Sequence, residues 1–265
     1  MSRRHRSVVP ALLVTGLYGA ALTVAAVVAL VSGDLGPLWR LTLFASESEG
    51  VVATGQNLLL LIVAGMSWAW GMWQILRRPP AGPPPERDRD TRRLRVALYV
   101  ATATTGLLHV TASWAGAAVV NSVAMWAVVL LSARVLGGDR TYTRGAGVLG
   151  YAGLTVIDAL DLAGLSVSDG AGAVAGLAAL AWTVMVLLAQ RQDDRWGKVT
   201  VAYGIAALVM PFLLLLAVFT FPDEGSAVEA LGAVSSALSM IWLARSAHDL
   251  AAPRHQPAAQ PALGS

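Results

Sequence analysis

Residues 8–31 read VVPALLVTGLYGAALTVAAVVALV, 24 positions in a row without a charge. As a helix this run is about 36 Å long, more than the roughly 30 Å of a bilayer's hydrocarbon core. A cleaved signal sequence carries an apolar region of only about 7–15 residues. The basic run Arg3-Arg4-His5-Arg6 and the stretch after it therefore read as a retained first membrane helix.

Stretches of the same kind recur at 51–76, 94–113, 116–136, 145–165, 171–190, 198–220 and 226–245. Composition agrees: the 265 residues are 56% hydrophobic and 13% charged, against about 25% charged in soluble domains. The fold class expected is an all-α integral membrane protein, a bundle of about eight transmembrane helices arranged as four hairpins. It would occupy residues 1–246, with a disordered tail over 247–265. The count falls to six or seven if one of the Gly/Ala-rich segments (the fifth or sixth) does not span. The boundary at Trp114-Ala115-Gly116 is the least defined.

Orientation follows from the tendency of arginine and lysine to stay on the cytoplasmic side. With the N-terminus inside, the inner segments hold Arg3, Arg4 and Arg6; Arg77, Arg78, Arg87, Arg89, Arg92, Arg93 and Arg95; Arg134, Arg140 and Arg144; Arg191, Arg195 and Lys198; Arg245 and Arg254. Of the 19 basic residues only Arg40 is left outside. The outer loops carry Asp34, Glu47, Glu49, Asp169, Asp223 and Glu224 instead. Both termini are thus expected in the cytoplasm, in a plasma membrane. Lys198 is the only lysine, a bias that points to a GC-rich bacterial source.

The chain has no cysteine, which excludes disulfides, thiolate catalysis and Cys-ligated metals. The net charge of +3 sits in short loops, so no nucleic-acid partner is expected. Residues 77–95, RRPPAGPPPERDRDTRRLR, read as an extended cytoplasmic linker. The outer segment 37–46, PLWRLTLFAS, reads as interfacial, with Trp39 at headgroup level, either as an anchor or as a lid. The runs SEG (48–50), WAG (114–116), SDG (168–170) and DEG (223–225) precede alternate helices that end at Arg77, Arg134, Arg191 and Arg245. This pattern fits parallel repeats, although alternating topology alone also produces it.

Ionisable and amide side chains are costly in hydrocarbon and usually face a bundle interior. The candidates for a binding site are Asp158, Asp161, His109, Asn57, Asn121 and Glu229, with Gln56 beside Asn57. All fall in the outer halves of their helices, which suggests a polar pocket open to the outside. Asp158 and Asp161 share a helical face, where two carboxylates would repel. Such a pair suits a cation site or proton relay. Its plainer use is a local hydrogen bond and a reach to the interface. His109 alone reads best as a structural histidine, Glu229 as a charge near a helix N-terminus, and Gln56 and Asn57 as interhelical hydrogen-bonders.

Gly172 and Gly176 form a GxxxG close-packing face. Pro211 should kink the seventh segment. Trp68, Trp70, Trp73, Trp196 and Trp242 read as an inner aromatic belt. There is no Walker A run, no HExxH and no lysine inside a helix, and neither a cofactor nor a metal is expected. The function expected first is binding or transport of a small molecule or cation. The alternatives are a lipid- or isoprenoid-directed enzyme with an Asp general acid, and a sensor or assembly subunit acting through a partner. Expected partners are the lipid bilayer, that ligand, and a second copy or another membrane protein.

Overall fold

The computed structural model describes residues 8–44, 53–77, 88–111, 115–136, 140–165, 168–220 and 225–251. The linker residues 78–87, the runs at 48–50 and 223–224, Trp114 and the tail from 252 lie outside them. Among the described residues there are nine helices and no strand: α1 (Val9–Ser32), α2 (Gly36–Leu43), α3 (Gly55–Leu76), α4 (Arg89–Val110), α5 (Ala115–Val135), α6 (Arg140–Leu162), α7 (Asp169–Gln192), α8 (Lys198–Thr220) and α9 (Gly225–Asp249). Seven of them, α1, α3 and α5 to α9, are long and apolar enough to cross a membrane, which marks a multi-pass membrane protein. α4 is as long but opens with RDTRRLR, so its apolar part is shorter.

Local chemistry sets the helix ends. Pro10 lies in the first turn of α1, and Gly33 ends that helix at φ 74°, its N–H donating to Ala29 O, a conformation that favours glycine. Thr54 caps α3, its hydroxyl accepting from Asn57 N at 3.2 Å. Asp88 caps α4, accepting from Asp90 N at 3.1 Å and from the Thr91 hydroxyl at 2.7 Å. Those two bonds, Thr91 first, hold the Asp88 carboxyl below its ordinary pKa. The cap explains a difference from the sequence reading: residues 89–95 of the expected linker are helix. At the other end α9 runs to Asp249, three residues into the expected tail.

Helices α4 to α9 form a closed ring. Each packs on the next in chain order, and α9 returns to α4. The ring is thus three hairpins, α4–α5, α6–α7 and α8–α9. The first hairpin, α1–α3, lies outside it, with α3 packed along α9. Two bonds bring α3 to the ring: Trp70 Nε1 donates to the Tyr203 hydroxyl at 2.7 Å, and Arg245 Nη1 donates to Gln74 Oε1 at 3.0 Å.

The segment around Trp39 departs from its expected interfacial position. α2 is wedged between α1 and α3, and Leu38, Trp39 and Thr42 are completely buried. The Tyr18 hydroxyl donates to Leu41 O at 3.0 Å and ties α1 to α2. Gly65 makes room: a Cβ there would lie 2.5 Å from Leu22 and 2.9 Å from Thr42. The expected aromatic belt also dissolves in part. Trp68, Trp196 and Trp242 are buried in the two cores, whereas Trp70 remains exposed. Amphipathic indole suits an interface, but a large apolar ring gains more from a packed core when one is within reach.

The close-packing glycines lie on α6, not on the expected Gly172/Gly176 pair. A Cβ on Gly172 or Gly176 would meet nothing within 4 Å. One on Gly150 would lie 2.7 Å from Ala179 Cα, and one on Gly153 2.6 Å from Ala175 Cβ. With Gly147 against Trp182 they form a stripe at every third residue that seats α6 on α7.

Candidate functional site

The six ring helices together line a partly open cavity of about 420 Å³. Every one of them contributes to its wall: Thr105 from α4, Asn121 and Met125 from α5, Tyr151 and Leu154 from α6, Gly176 and Thr183 from α7, Leu208 and Pro211 from α8, Ser235, Ser239 and Trp242 from α9. The α9 contribution is a single stripe, because 235, 239 and 242 are spaced four and three apart. Gly176 leaves space where another side chain would fill it. Pro211 frees a backbone carbonyl in the middle of α8.

The polar groups of the wall are arranged unequally. Asn121 Oδ1 accepts from the Thr105 hydroxyl at 3.1 Å and competes with Ala101 O for the single Thr104 hydroxyl proton, each 3.1 Å from Thr104 Oγ1. The amide Nδ2 keeps its two N–H donors. They have no partner among the described residues, nor do the hydroxyls of Tyr151, Ser235 and Ser239. Thr183 is different: its hydroxyl donates back to Ala179 O at 2.9 Å, the usual arrangement for a threonine in a helix. Thr155, one turn beyond Tyr151, donates to Tyr151 O at 2.6 Å and accepts from Trp126 Nε1 at 3.3 Å. Among the described residues the wall therefore offers several hydrogen-bond groups and no group charged at neutral pH. It has no nucleophile–base pair of the kind a covalent mechanism needs.

Trp242 belongs to the wall and is itself buried. Its Nε1 donates to Gln190 Oε1 at 3.0 Å, and Gln190 Nε2 donates to Ser246 Oγ at 3.1 Å. All three residues are buried. Gly204 permits this position, since a Cβ there would collide with Leu187 and lie 2.8 Å from Trp242 Nε1. Farther along α9 Asp249 ties down the start of α8, accepting from Gly197 N at 2.9 Å and from the Thr200 hydroxyl. Arg195, paired with Asp193, donates to Val135 O at 2.8 Å and joins the ends of α5 and α7.

Of the binding-site candidates named from the sequence, the structure brings only Asn121 to this cavity; Gly176, Pro211 and Trp242, noted there as packing, kink and belt residues, line it as well. Asp158 and Asp161 sit together on the exposed side of α6, beside exposed Val156 and Leu162. His109 lies between α4 and α3, its ring 4.7 Å from Trp68 and 5.7 Å from Phe44. Phe44 is held in the left-handed region at φ 56°, uncommon for a bulky residue, and it ends α2 over that cluster. Gln56 and Asn57 are in the first turn of α3, and Glu229 is exposed in the second turn of α9. No three His, Asp or Glu converge on a point among the described residues.

Tyr151, Ser235, Ser239, Gln190 and Gln74 were not singled out. Hydroxyls are unremarkable in membrane helices because they bond their own backbone. The one available signal was the 235/239/242/246 spacing, which lays three serines and a tryptophan along one face. Compared with protein-family models, with curated proteins and with solved structures, the chain matches none, so its site is described by its own geometry.

Proposed function

We propose that this protein binds, and passes across a plasma membrane, a small uncharged polar molecule held in the cavity of the six-helix ring. The observation that carries the proposal is the cavity wall: the hydroxyls of Tyr151, Ser235 and Ser239 and the amide N–H groups of Asn121, without partners among the described residues, line it together with no charge among them. Pockets for small molecules are generally apolar with a few convergent polar groups, at about 300–1,000 Å³. A cavity of about 420 Å³ fits that pattern. An ionic ligand would be left without a counter-charge, and an unpaired buried charge costs several kcal/mol. This favours a neutral ligand over the cation that Asp158 and Asp161 would suit. The topology that accompanies the proposal is eight spans, α4 included, with both termini in the cytoplasm and α2 as a buried wedge.

Single cysteines at Ser235 and Ser239 test this cleanly, because the chain has no cysteine of its own. A small neutral thiol reagent should modify both, at least about tenfold faster than a cationic reagent of similar size, since even 1.4 kcal/mol of charge penalty is tenfold. A cysteine at Val186, buried in the α7 core away from the cavity wall, should stay unmodified. Absence of reaction at 235 and 239, or equal rates for neutral and cationic reagents, would overturn the proposal.

A further inference from the structure

A second hollow lies on the outside of the ring, between α4 and α5. It has a volume of about 730 Å³. Its floor and walls are apolar, with Val96 and Val100 from α4 and Val120 and Val123 from α5 all exposed. At one end it is bounded by Arg89, Arg92 and Arg93. Positions 89, 93, 96 and 100 follow the i, i+4, i+7, i+11 progression, so arginines and valines share one face of α4. Arg93 has Asp90 at 3.7 Å. Arg89 and Arg92 have no acidic partner among the described residues, and the nearby Asp88 carboxylate is taken up by Thr91 and Asp90 N.

We infer that this groove holds an anionic phospholipid, its phosphate on Arg89 and Arg92 and an acyl chain along the valines. Length supports it. From Val119 to Leu131 the α5 wall runs about 18 Å, against about 15 Å for one leaflet of hydrocarbon. Charge supports it as well. Basic pockets between membrane helices at the cytoplasmic surface recognise anionic headgroups, and the guanidinium fork matches phosphate oxygens two at a time. A second copy of the chain is the poorer occupant. A two-fold dimer through this face sets the same arginine clusters against each other at the same membrane depth. The lipid also accounts for α4 itself, whose first two turns are charged and whose apolar part is short for a bilayer. A headgroup held there lets those arginines sit at the phosphate level.

The test is native mass spectrometry of the full chain in detergent, titrated with phosphatidylglycerol or with phosphatidylcholine. One phosphatidylglycerol should be retained about thirtyfold more tightly than phosphatidylcholine, from about 1 kcal/mol for each of the two uncompensated arginines. Arg89→Gln with Arg92→Gln should bring that ratio to about one while leaving the thermal transition in place. Val120→Trp with Val123→Trp, which fills the groove, should weaken both lipids. Three outcomes overturn the inference: an unchanged lipid ratio in the arginine variant, equal competition by glycerophosphate without acyl chains, or a dimer that the tryptophan variant dissociates.

Discussion

Trp242 and Gln190 show how the cavity depends on single hydrogen bonds. The indole N–H of Trp242 has one partner, Gln190 Oε1, and Gln190 in turn has Ser246. Gln190→Leu keeps the volume but strands the indole N–H and the Ser246 hydroxyl, both on buried residues. A stranded buried donor costs about 1–3 kcal/mol. Trp242→Phe removes the donor itself and shrinks the ring. The double variant should therefore lose clearly less than the sum of the singles, because once the indole is gone Gln190→Leu strands nothing on that side. Thermal or denaturant unfolding in detergent measures this, and simple additivity would mean that the bond is not made. At this scale the sequence was only partly legible. Asn121 stood out because an amide in hydrocarbon must be bonded. Ser235 and Ser239 did not, because a serine's environment depends on which way its helix turns. The carboxylates Asp158 and Asp161 stood out for their charge, and the structure leaves them on the exposed side of α6.

Between α6 and α7 the deciding quantity is backbone approach. Gly150 faces the backbone of Ala179, which cannot move aside as a side chain can. Gly150→Ala should therefore force the helices apart and destabilise by about 1–3 kcal/mol. It should also displace Tyr151, the next residue, from the cavity wall. Gly172→Ala should do the reverse. Nothing stands within 4 Å of its new Cβ, and alanine in a helix interior is favoured over glycine by about 0.5–1 kcal/mol. A thermal melt of the two variants should move in opposite directions. Destabilisation by Gly172→Ala would instead restore the GxxxG pair as a packing face, between copies of the chain. Both glycine sets are visible in the sequence, at spacings of three and four. Only the neighbouring helix decides which set is used, and that partner is not written in the local pattern. The same holds for α2. Segment 37–46 was legible only as an interfacial stretch, and the burial of Trp39 comes from its contacts between α1 and α3.

For the whole molecule, what the sequence carries openly is apolar length. Each long helix matches a stretch read from hydropathy to within five residues at either end, the largest offsets being at the starts of α6 and of α4. Its charged first two turns are helical because Asp88 caps them. The closed ring was not legible, since nothing local says that α9 returns to α4. Charge distribution does bear on whether α4 crosses the membrane. With eight spans only Arg40 of the 19 basic residues is outside. If α4 stayed on the inner surface, every later loop would change sides. The arginine groups at 134–144, at 191–198 and from 245 onward would then join Arg40 outside, and the bias would all but vanish. Eight spans therefore predict a definite labelling pattern for single cysteines in intact cells treated with an impermeant thiol reagent. Ser46, Ser166 and Asp223 positions should react, and Ala81, Gly138 and Asp194 positions should react only after lysis. Reaction at 46, 138 and 194, with 81, 166 and 223 protected, would mean seven spans with α4 lying on the surface. The complete inverse of the expected pattern would place both termini outside. The inverse pattern would leave the α4–α5 groove intact and move its arginine end to the other leaflet. The seven-span pattern would instead take α4 off α5, against their packing along one another, and with it the groove.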